Sequence, residues 1–62
     1  MITARDLINM QFMVYSVYRR YTVFVDQKNN TVELNNYRNK EIVIVNGSAF
    51  KITTIEQLKE KL

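Results

Sequence analysis

The chain opens with a helical period. Thr3 followed three residues later by Asp6 is a near-match to a capping box, which places a helix start at Ala4. Leu7, Met10, Val14, Val17 and Tyr21 recur at spacings of three and four, one apolar stripe on a helix running from Ala4 to Tyr15 or Tyr18. Residues 12–18 are also rich in aromatic and β-branched side chains that favour a strand, and no breaker separates the two readings. A helix is the expectation adopted here.

Beyond Tyr18 the period changes to two. Tyr21, Val23 and Val25 fall on one side of a strand, and Thr22, Phe24 and Asp26 on the other. Gln27-Lys28-Asn29-Asn30 supplies turn chemistry, and Thr31 to Asn35 returns as a second strand. Pairing Val25 with Val32 and Val23 with Leu34 would gather four apolar side chains on one face. The polar run Asn35 to Lys40 reads as an exposed loop. Glu41 to Val45 then ends in Asn46-Gly47, the strongest short hairpin signal, and Ser48 to Ile52 returns, which sets Val43 opposite Phe50 and Ile44 opposite Ala49. Thr54 with Gln57, or Thr53 with Glu56, caps a last helix beginning near Ile55, whose stripe is Ile55, Leu58 and Leu62. A helix that short forms only when docked.

These elements predict a single small α+β domain over residues 1–62. An N-terminal helix precedes two β-hairpins that form a small twisted antiparallel sheet or partial barrel, and a short C-terminal helix closes it. The run Ile42 to Val45 is apolar on both faces, so each face needs a cover from the terminal helices, sheet closure or a second protomer.

Length sharpens that requirement. A chain of 62 residues is near the lower limit for one unaided core, and with no Cys and no His it has neither a disulfide nor the usual zinc ligands. The absence of Cys fits a reducing cytoplasm. The longest uncharged run, Leu7 to Tyr18, is well short of a membrane span, and the N-terminus lacks the features of a signal peptide, so a mature cytoplasmic chain without membrane association is expected.

Without His, Cys or a glycine-rich loop, the commonest general base, the strongest nucleophile and the phosphate cradle are all missing. The expectation is a non-enzymatic protein with no catalytic residue, cofactor, bound metal or small-molecule substrate. Asp26 and Glu33 on the Phe24 side of the first hairpin form the one carboxylate pair to weigh for Mg²⁺, and two solvated turn charges are the better reading.

Binding remains. Residues from Met10 to Tyr18 are apolar nearly all round a helix, more than one sheet face can bury, and methionine suits adaptable contacts. The leading expectation is therefore a regulatory or binding protein acting through protein contacts, as a homodimer or with a heterologous partner. Met10, Met13, Tyr15 and Tyr18 would form the contact surface, with Arg19 and Arg20 at its rim. The alternative is nucleic-acid binding through Arg19, Arg20, Tyr37, Arg38 and Lys40, where rings alternate with positive charge in a chain of net charge +3. No RNP, GXXG or helix-turn-helix pattern accompanies these residues.

Overall fold

Thr3 caps the first helix, α1 (Ala4–Asn9), as the sequence predicts: its hydroxyl accepts from the Asp6 N–H, and the Asp6 carboxylate accepts from the Thr3 N–H. The helix then stops after six residues instead of continuing to Tyr15 or Tyr18. Gln11 takes a left-handed conformation at φ 71°, its N–H donates to Ile8 O, and the Phe12 N–H donates to Leu7 O at 2.9 Å. This is a Schellman closure with glutamine in the usual glycine position, and Leu7 and Phe12, both buried, make the apolar contact that accompanies it. The β-branched and aromatic run beyond it becomes a strand, β1 (Met13–Val17).

A computed structural model describes residues 1–38 and 40–62; Asn39, part of the expected polar loop, lies outside the described residues. After β1 come β2 (Tyr21–Val25), β3 (Thr31–Asn35), β4 (Ile42–Val45), β5 (Ser48–Lys51) and a closing helix, α2 (Ile55–Lys61). The strands form one antiparallel sheet in the order β1-β2-β3-β4-β5, so it is an open meander of five strands with β1 and β5 at its edges.

The β2–β3 register differs from expectation by one residue. Phe24 pairs with Val32 and Thr22 with Leu34, while Val25 faces Thr31 and Val23 faces Glu33. The cause is the turn. Asp26 N–H donates to Asn30 O and Asn29 sits at φ 66°, which closes a three-residue loop over residues 27–29 instead of the expected four. A one-residue slip exchanges the faces of the return strand. Glu33 consequently lies on the Val23 face and Asp26 is committed to its turn, so the two carboxylates do not meet on the Phe24 side.

The β4–β5 hairpin has the predicted register, with Val43 opposite Phe50 and Ile44 opposite Ala49, around Asn46 (φ 51°) and Gly47 (φ 88°). Positive φ at both turn residues matches the right-handed twist of the strands. Asn46 also ties the two lower turns together, donating to the Asn30 side chain and accepting from the Thr31 N–H.

One core results. Leu7 of α1 and Leu58 of α2 pack with Ile2, Phe12, Phe24, Val32, Val43, Val45 and Ile52, so both helices cover the same face. Thr54 and Gln57 form the capping box of α2, and the Lys61 ammonium lies 4.6 Å from the Phe50 ring centre, a second hold on that helix. The opposite face presents Tyr21, Val23, Val25, Ile42 and Ile44, none of them buried. The sequence asks for two covers, and the described residues supply one.

Candidate functional site

β1 is the first place where apolar surface is left over. Met13 is 68% exposed, Tyr15 72% and Val17 71%, and Val14 and Tyr18 are exposed beside them. A bulge explains the spacing: Val14 faces Phe24, Ser16 faces Val23, and Tyr15 is the extra residue. Met13 and Ser16 therefore share the open face with Val25 and Val23, while Val14 and Val17 lie on the helix side yet stay exposed. Among the described residues, no strand pairs with the outer edge of β1. The strand carries no charge and no proline, devices that keep neighbours off an exposed edge. Of the expected contact residues, Met13, Tyr15 and Tyr18 stand on this surface, whereas Met10 packs against the core.

The second place is the end of the sheet where β1 turns into β2 and β3 leaves for β4. Arg19 and Arg20 are the tip of the first turn, which is closed by the Tyr18 N–H donating to Tyr21 O at 2.8 Å. Two arginines are poor turn residues, and neither adopts the positive φ of the favoured hairpin turns. Support comes from Asn36 instead. Its Nδ2 donates to the carbonyls of Tyr18 at 2.8 Å and Arg19 at 3.3 Å, its backbone N–H donates to Arg20 O at 2.8 Å, and its Oδ1 accepts from the Thr22 hydroxyl. Three successive carbonyls of the turn are thereby tethered to the next loop. Asn35 orders that loop in turn, its Oδ1 accepting from the Tyr37 and Arg38 N–H groups.

The effect is to gather Arg19, Arg20, Tyr37, Arg38 and Lys40, all exposed, at one end of the molecule. The Tyr18 and Tyr21 rings stack there with centroids 4.8 Å apart. Glu41, the carboxylate nearest in sequence, lies 3.9 Å from Lys51 in an exposed pair. Sequence reasoning missed Asn36 as the organiser, since an asparagine in a polar run carries no mark of a contact 16 to 18 residues away.

Among the described residues, no group of three or more Asp or Glu side chains is placed to hold a metal ion, and no helix is long and apolar enough to cross a membrane. At the opposite end, burial pushes the Asp26 carboxyl up, but hydrogen bonds from the Asn30 side chain and from the Asn30 and Lys28 N–H groups, with the Lys28 charge, outweigh it and hold Asp26 below its ordinary value of 3.8. Set against known proteins, the chain matches no family model, no curated protein and no solved structure.

Proposed function

We propose that this chain is a non-enzymatic binding domain that works by self-association, with β1 of one copy pairing antiparallel to β1 of another. What carries this reading is the uncharged, proline-free edge strand with Met13, Tyr15 and Val17 in solvent. Antiparallel pairing centred on Tyr15 sets Met13 beside Val17 of the second copy, and no like charges meet across the two-fold axis. The bulge at Tyr15 increases the local twist and keeps the paired length short, which fits a reversible association.

Face-to-face stacking through the open face is the poorer arrangement. Glu33 stands in the middle of that face between Val23 and Ile44, with no ion pair among the described residues, so two stacked copies would bury two like charges. The Tyr18 ring and the Arg19-Arg20 turn would lie at the rim of the edge interface.

Sedimentation velocity from micromolar to millimolar concentration tests the reading. A dimer is expected that Tyr15→Lys converts to monomer with an unchanged far-ultraviolet circular dichroism spectrum, because position 15 is exposed and contributes nothing to the core. A chain that stays monomeric throughout that range rules out self-association through β1.

A further inference from the structure

We infer that the end of the sheet built from Tyr18 to Tyr21 with Tyr37, Arg38 and Lys40 binds single-stranded nucleic acid, with Arg19, Arg20, Arg38 and Lys40 on phosphates and Tyr37 and the Tyr18–Tyr21 pair on bases. This goes beyond self-association and does not depend on it. The chain sorts its rings in a way that packing alone does not require. Phe12 and Phe24 are buried and Phe50 is half-buried, while Tyr15, Tyr18, Tyr21 and Tyr37 are all exposed. A tyrosine in a small domain ordinarily buries its ring and leaves only its hydroxyl wet, so exposed rings beside cations are surplus to folding.

Charge follows the same division. Four of the nine basic residues sit at this end, and none of the four forms an ion pair among the described residues. Two adjacent arginines repel each other at the tip of a tight turn, and their side chains add nothing to the core. The fold nevertheless commits the Asn36 side chain and backbone to holding that tip in place. A local arrangement that sequence preference opposes and tertiary contacts enforce marks a place where function overrides folding. Cations spaced between flat, exposed rings suit a flexible strand whose bases are free to stack; paired bases would not offer their faces.

Fluorescence anisotropy with labelled oligo(dT), oligo(rU) and oligo(dA) of about 12 nucleotides tests the inference. Binding is expected at low salt, with log K falling against log salt at a slope approaching about −3 for four phosphates on a single strand. Arg19→Ala with Arg20→Ala should halve that slope. Tyr37→Ala should weaken oligonucleotide binding roughly 5- to 150-fold, the range for losing one base stack, while leaving binding to heparin, a polyanion without bases, unchanged. All these positions are exposed, and each variant should keep the wild-type circular dichroism spectrum. The inference is overturned if no oligonucleotide binds at low salt, if a duplex of the same length binds as well as the single strand, if Tyr37→Ala affects heparin and oligonucleotide alike, or if only vesicles of anionic phospholipid bind.

Discussion

Replacing Asn36 with alanine tests whether one side chain holds the arginine turn in place. The substitution removes hydrogen bonds to Tyr18 O at 2.8 Å, to Arg19 O at 3.3 Å and from the Thr22 hydroxyl at 2.8 Å, and it spares the backbone bond to Arg20. A typical hydrogen bond contributes about 0.5–1.5 kcal/mol net. The two turn carbonyls are exposed and regain water, which puts them at the low end, whereas the half-buried Thr22 hydroxyl loses more. A total of about 1.5–2 kcal/mol is expected, and each kcal/mol lowers Tm by about 4–8 °C in a domain of this size.

Urea titration of wild type, Asn36→Ala, Thr22→Val and the double variant measures both the loss and its origin. The cycle should return a coupling of about 0.5–1.5 kcal/mol between Asn36 and Thr22, since removing either partner already breaks their bond. Hydrogen exchange should quicken at the Tyr18 amide, whose bond to Tyr21 O closes the turn, before it quickens in the core strands. A loss below about 0.5 kcal/mol, the scale of an ordinary surface substitution, would show that the turn needs no tether.

Other consequences follow from backbone and charge. Gln11→Gly should stabilise the domain by about 0.5–1 kcal/mol in urea, because the left-handed residue at φ 71° then carries no Cβ. Gly47→Ala should cost about 1–2 kcal/mol by backbone strain alone, since a Cβ there meets nothing within 4 Å; a larger loss would indicate an unseen contact. Asp26, whose folded pKa is depressed, contributes stability above its unfolded value that is lost as pH falls from about 4 through the folded value. Urea midpoints should therefore drop across that window in wild type and drop less in Asp26→Asn; parallel curves would refute the assignment.

What the sequence made legible was local. The Thr3 and Thr54 caps, the Asn46-Gly47 turn and the β4–β5 register are decided within a few neighbouring residues, and all are present as expected. The misreadings came where two local rules were nearly balanced. The stripe Leu7, Met10, Val14, Val17 fits a helical period, but Leu7 and Phe12, five apart, fit a helix that ends between them, and only a glutamine accepting φ 71° separates the two. At Gln27 to Asn30, three- and four-residue loops were both available, and the bonds of Asp26 to Asn30 selected the shorter. That choice sent Val23 and Val25 to the uncovered face. The candidate residues on β1 and at the cationic end were legible as types, but the tethering of the arginine turn by Asn36 was not, because tertiary contacts of that span leave no periodic trace.

The proposed edge pairing and the proposed nucleic-acid end constrain each other through geometry. Antiparallel pairing about Tyr15 sends the two arginine turns to opposite ends of the joint ladder, each about four residues from the axis, so the turns stand roughly 26 Å apart at 3.3 Å per residue. A strand long enough to reach both ends would bind the dimer at two points, and the second contact would form at high effective concentration. Oligonucleotide affinity should then rise steeply once length spans both ends, and Tyr15→Lys should abolish the rise while leaving the affinity for short oligonucleotides intact. If affinity instead grows smoothly with length and is the same in Tyr15→Lys, the two surfaces act independently, and edge pairing is no part of how the cationic end engages its strand.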